Sequence, residues 1–161
     1  MDYIIISAFG KDRPGIVSKL TGTITKNGGN IKDSRMMKLG VDFTTMVLIS
    51  VSKENTRSLI SAIEKIPNLI ISIQKTSSFK LDKSIPQCKI YLKGADNEGI
   101  VYLVADKLSQ KNINIEEMET NTENAPITGT TLFTMIASVS HPKLDIQRLQ
   151  TDMNILSDQL G

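Results

Sequence analysis

The chain has 161 residues, 40% hydrophobic and 22% charged, an ordinary globular composition. Its formal charge of +2 comes with scattered lysines and no basic stripe, which gives no reason to expect direct nucleic-acid binding. The single cysteine, Cys88, excludes an internal disulfide framework and a cysteine-based zinc site, and in the apparent strand QCKIYLK it reads as a buried, inert thiol.

The N-terminal stretch MDYIIIS is acidic and its apolar run is too short for a signal peptide. No apolar segment approaches the roughly 20 residues that cross a bilayer, so a cytoplasmic protein without membrane contact is expected. Residues 3–9, YIIISAF, are β-branched and aromatic and form a first strand. Gly10 to Arg13 break it. Asp12 is placed to cap the helix that follows, with Pro14 tolerated in its first turn. Ile16, Val17, Leu20 and Ile24 make one apolar stripe at helical spacing, and Gly28-Gly29 stop it.

From Asn30 the period changes to two: NIKDSRMMKL is a strand, Gly40-Val41-Asp42 a turn and FTTMVLISV the return. In the return, Phe43, Thr45, Val47, Ile49 and Val51 share one face. Residues 52–55 cap a second helix with the stripe Leu59, Ile60, Ile63 and Ile66, ended at Pro67-Asn68. LIISIQKTS is a fourth strand. The order β-α-β-β-α-β is a ferredoxin-like arrangement, two helices covering one face of a four-stranded antiparallel sheet.

The plan then recurs. Gly-x-Asp-x-x-Gly-Ile-Val occurs at Gly10, Asp12, Gly15, Ile16 and Val17, and again 84 residues later at Gly94, Asp96, Gly99, Ile100 and Val101. Asn30-Ile31 returns as Asn114-Ile115 at the same offset, so a tandem repeat overrides the one-domain expectation from length. The expected organisation is a first domain over 1–80, a linker over 81–86 within the polar stretch SFKLDKSIP, and a second domain over 87–161. In the second domain, strands near Gln87–Lys93 and Ile113–Thr122 flank a helix near Glu98–Lys111. A longer loop, TENAPITGT, precedes the strand LFTMIASVS, and a last helix carries Ile146, Leu149, Met153, Leu156 and Leu160. No counterpart of LIISIQKTS follows. The fold class is therefore α+β, two tandem βαββαβ domains with the second lacking its last strand. That leaves an edge beside its first strand, which the linker or a partner subunit is expected to cover.

Catalytic chemistry is sparse. His141, the sole histidine, sits in a Ser-His-Pro turn, and neither a P-loop nor Gly-x-Ser-x-Gly occurs. Glu116, Glu117 and Glu119 are close, but strand alternation should separate Glu116 from the others and leave no metal site. A non-enzyme without cofactor or metal is expected. What remains are the strand-to-helix turns. Their amides suit a carboxylate, Gly15 and Gly99 admit a small ligand to the backbone, Asp12 and Asp96 suit an ammonium group, and Asn30 and Asn114 offer amides. Together these fit a free amino acid. The same residues also serve as helix caps and close-packing glycines with no ligand. Arg13-Pro14 and Asn97-Glu98 differ, so the copies should not bind alike.

Asp-Arg-Pro-Gly-Ile-Val followed by a Gly-Gly-Asn-Ile strand entry resembles the ACT domain, a small regulatory βαββαβ module. Two copies in tandem, with Pro126-Ile127-Thr128-Gly129 before Leu132-Phe133-Thr134-Met135, are similar to the glycine cleavage system transcriptional repressor family. The resemblance implies amino-acid binding at interfaces between paired domains, through the first strand–helix turn and the start of the second strand. It implicates Asp12, Arg13, Gly15, Ile16 and Asn30, and Asp96, Asn97, Gly99, Ile100 and Asn114. It also implies control of glycine-cleavage genes through a partner regulatory protein rather than direct DNA contact. The alternatives are a regulatory subunit of an amino-acid biosynthetic enzyme such as acetolactate synthase, and a ligand-free dimerisation module. Tyr102 and Leu103, standing where the first copy has Ser18 and Lys19, widen the apolar face of the helix and point to a homodimer.

Overall fold

The protein is described by a computed structural model covering residues 1–77, 85–124 and 129–160. The chain divides into two compact units, Met1–Lys80 and Leu81–Gly161. The first runs β1 (Asp2–Lys11), α1 (Ile16–Lys26), β2 (Asn30–Leu39), β3 (Asp42–Val51), α2 (Thr56–Glu64) and β4 (Ile70–Thr76). The second runs β5 (Gln87–Ala95), α3 (Ile100–Ser109), β6 (Asn114–Asn124), β7 (Thr131–Ser140) and α4 (Ile146–Leu160). The sheets are ordered β2-β3-β1-β4 and β5-β7-β6, so the second unit has the ferredoxin-like plan without a fourth strand. Every pairing is antiparallel.

The alternation read from FTTMVLISV is realised in β3. Phe43, Thr45, Val47, Ile49 and Val51 are all buried on the helix-covered face. Ile4 and Ile6 meet them from β1, Leu20 and Ile24 from α1, and Leu59, Ile63 and Ile66 from α2. The second core repeats this with Val104 and Leu108 of α3, Met135, Ala137 and Val139 of β7, and Leu149 and Leu156 of α4. Removing such a side chain from water contributes about 1.5–3 kcal/mol. Ile146 departs from the expected stripe: it is 59% exposed at the first position of α4.

The helix ends follow from local chemistry. Gly28 has φ 76° and closes α1, with Gly28 N–H donating to Thr25 O (3.0 Å) and Gly29 N–H to Ile24 O (2.9 Å). This is a Schellman ending. At the same point of the second unit Asn112, at φ 54°, plays the glycine's part, and Ile113 N–H donates to Leu108 O at 3.0 Å. Asparagine tolerates the left-handed region better than most residues, so the motif survives without its glycines. The second helix has Asn55 at its N-cap with no side-chain cap, and Ser52 Oγ accepts from Asn55 N–H at 3.3 Å in the turn before it.

Two boundaries differ from the sequence reading. α3 starts at Ile100, two residues after Glu98, because Gly99 is left-handed and stands outside the helix. Glu123 and Asn124, beyond the strand expected to end at Thr122, belong to β6 and pair with Leu132 and Thr131. Linker residues 81–84, and 125–128 of the loop, lie outside the described residues. Among the described residues β5 pairs with β7 alone.

Candidate functional site

The two repeated turns have one backbone solution. Gly15 (φ 85°, ψ −2°) and Gly99 (φ 85°, ψ 3°) are the N-cap residues of α1 and α3, both left-handed, and no side chain caps either helix. Asp12 is therefore not a helix cap, which corrects the expectation from sequence. Its backbone N–H donates to Val41 O at 3.1 Å, and its carboxylate pairs with Lys38 at 3.2 Å. Asp96 repeats the backbone bond, to Thr131 O at 3.2 Å, but Thr122 stands where Lys38 stands and no ion pair to Asp96 forms among the described residues.

A Cβ built on Gly15 or Gly99 meets nothing within 4 Å, so these turns are open to solvent and the glycines answer a backbone demand. Arg13 reaches across its turn to donate to Pro67 O at 2.9 Å, which ties the turn to the α2–β4 connection. Ile16 and Ile100 point into the protein, 4% and 3% exposed, so their backbone alone is available to a ligand. Gly10 is constrained by space instead, because its Cβ position falls against the carbonyl oxygen of Asn68 and lies 3.0 Å from Leu69 Cδ2. Gly94 meets nothing within 4 Å, since among the described residues no fourth strand arrives beside it.

Asn30 and Asn114 lie at the other end of each sheet. Asn30 pairs with Ser50, whereas Lys11, beside the turn, pairs with Asp42. Eight residues of β3 separate those positions, roughly 26 Å at the usual strand rise. Within one unit the turn and the asparagine thus stand at opposite ends of the sheet.

Both asparagines precede a β-bulge, between Ile31 and Asp33 and between Ile115 and Glu117. The bulge breaks the alternation that was expected to separate Glu116 from its neighbours and aims its carboxylate back along the strand. Glu116 Oε1 accepts from Ser140 Oγ at 2.5 Å and from Asn114 Nδ2 at 2.7 Å. Those bonds, Ser140's first, hold its carboxyl below the ordinary value of 4.5. Lys32 stands at the bulge of the first unit. There Ser50 Oγ is buried with no hydrogen-bond partner among the described residues. Sequence reasoning missed both serines. The signal was the Ile-Ser-Val and Val-Ser-His triplets paired against the two asparagines.

A cleft of about 420 Å³ in the second unit is lined by Lys111, His141, Lys143, Arg148 and Asp152 among others, none of them a candidate from sequence. Asp152 pairs with Lys111 and Lys107, and the hydrogen bond from Lys111 lowers its carboxyl. His141 Nδ1 accepts from Lys143 N–H at 3.0 Å, the tie of a turn residue. Burial raises the Cys88 thiol. No helix among the described residues is long and apolar enough to cross a membrane.

Residues 2–70 match the family model of the ACT domain. The chain is 29% identical over 127 residues to the glycine cleavage system transcriptional repressor of Escherichia coli K12, covering 76% of this chain and 66% of that protein. It thus spans slightly under two thirds of the length of that relative. A crystal structure of an unknown protein from Galdieria sulphuraria is 33% identical, with a TM-score of 0.86 over 98% of this chain and 92% of that one. A crystal structure provisionally assigned as a glycine cleavage system transcriptional repressor is 24% identical, with a TM-score of 0.68 over 99% of this chain and 92% of the other. It shares the fold.

Proposed function

We propose that this chain, whose residues 2–70 match the ACT-domain model, is a non-enzymatic regulatory protein that senses a free amino acid and passes the signal to a partner protein. The single observation that carries the reading is the division into half-sites. Each unit offers a helix N-terminus with uncapped amides at one end of its sheet and an asparagine at the other. Amides at the positive end of a helix attract a carboxylate, and Asp12 or Asp96 accepts from an ammonium group.

A second copy of the chain completes such a site. β2 is an edge strand. Antiparallel pairing of β2 with its equivalent in another copy sets Asn30 opposite Leu39, next to Gly40-Val41 and hence to the Asp12 turn bonded to Val41. On α3, Val101, Tyr102 and Leu103 are 40%, 69% and 38% exposed, an apolar face that supports a homodimer. The side of β5 left unpaired among the described residues is a further place for a partner's strand. The proposed domain limits remain 1–80 and 87–161.

The identity to the Escherichia coli repressor supports transcriptional control of glycine-cleavage genes as the output, exerted through a partner. A reporter for those genes tests this. Deleting the chain should abolish the reporter's response to added glycine, and an unchanged response would refute the assignment.

A further inference from the structure

The two copies differ at the bulge that follows each asparagine. In the second unit Asn114 and Ser140 are cross-strand partners, and both donate to one oxygen of Glu116. In the first unit Asn30 and Ser50 are cross-strand partners in the same register, but the bulge residue is Lys32. Ser50 is 2% exposed and its Oγ has no partner, and the Asn30 side chain makes no hydrogen bond among the described residues. An unpaired buried hydroxyl carries a desolvation cost that a ligand's acceptor would remove.

We propose that the Asn30–Ser50 pair binds the carboxylate of an external ligand, with Lys32 beside it as the cation, and that Glu116 fills the equivalent place in the second unit with the protein's own carboxylate. The second unit shows what the first lacks. Two neutral donors, set by strand register, converge on one carboxylate oxygen. Burial of the serine does not block access, because Glu116 is itself exposed and still reaches a Ser140 that is 5% exposed. Exchange of Glu116 for Lys32 reverses the local charge. A carboxylate is then repelled from one pair by the resident carboxylate and attracted to the other. This rests on the amino-acid-sensing reading and deepens it: one unit recognises ligand and the other is self-occupied, so the chain takes one carboxylate at this kind of site and not two.

Calorimetric titration of the full chain with glycine, L-serine and L-leucine tests this. A probe that binds the wild type should bind once per chain at these pairs. Ser50→Ala and Asn30→Ala should each weaken it at least tenfold, while Ser140→Ala leaves it unchanged. Glu116→Lys, which copies the first unit, should raise the stoichiometry to two. Folding controls separate the roles: without ligand, Ser50→Ala should melt at or above the wild-type temperature, and Ser140→Ala below it. Binding that survives both first-unit substitutions, or that fails equally with Ser140→Ala, overturns the inference and leaves amino-acid sensing standing. One site per chain in Glu116→Lys overturns the role given to Glu116. Absence of binding by every probe to the wild type removes the sensing reading and this inference with it.

Discussion

Gly10 and Gly94 occupy equivalent positions in the two copies, yet the structure assigns them opposite sensitivities. A methyl group at Gly10 presses on the carbonyl oxygen of Asn68 and lies 3.0 Å from Leu69 Cδ2, where the chain enters β4. The first contact is with backbone, held by the β1–β4 ladder between Tyr3–Phe9 and Ile70–Thr76, so it cannot yield cheaply. Overpacking of this kind costs about 1–3 kcal/mol. At Gly94 the methyl group meets nothing within 4 Å and the backbone is not left-handed, so Gly94→Ala should be neutral or stabilise by about 0.4–1 kcal/mol through the unfolded chain. For units of this size each kcal/mol moves the melting temperature by about 4–8 °C. With no tryptophan in the chain, far-UV circular dichroism is the probe, and hydrogen exchange at the β1 and β4 amides locates the loss. Gly10→Ala should lower the midpoint by at least about 4 °C and speed exchange in β1 and β4, while Gly94→Ala does neither. Equal effects of the two substitutions would refute the reasoning.

Three further outcomes follow from the site. Gly99→Val should destabilise the chain as well as crowd the turn. A β-branched residue at φ 85° costs more than the roughly 1–2 kcal/mol of an ordinary left-handed residue, and Gly99→Asn should cost less than Gly99→Val in thermal melts. Asp12→Ala should lose the exposed pair with Lys38, worth up to about 1 kcal/mol, and the loss should vanish in 1 M salt; a loss independent of salt would restore a capping role. Glu116 contributes stability that is complete above pH 4.5 and is lost as pH falls through its lowered value in the folded chain. Glu116→Gln should flatten that part of the acid-melting profile, and carboxyl NMR should place Glu116 below its ordinary value.

Periodicity made the architecture legible before any coordinates. The helical stripes of Leu20, Ile24, Leu59 and Ile63, and the alternation of Phe43 to Val51, are core in the structure because burial is the force that produces such patterns. The repeat carried the same reading to the second unit. Local conformation was less legible. Asp12 and Gly15 both suit the start of a helix, and only backbone angles show that glycine takes the cap position while aspartate turns to Lys38. Asn112 replaces a glycine at a helix end, which hides the motif from a search for glycine. The separation of the turn from Asn30 depends on strand register, and the meeting of Glu116 with Ser140 depends on a bulge joined to that register. Neither is a property of residues near one another in sequence.

The central claim is that the folded chain binds a free amino acid. Thermal melting with each common amino acid, at rising concentration, tests it most directly. A ligand present at 100 times its dissociation constant should stabilise the chain by about 2.7 kcal/mol, a shift of several degrees for at least one amino acid. A flat response to all of them would contradict the account and leave a paired-domain scaffold without a sensor.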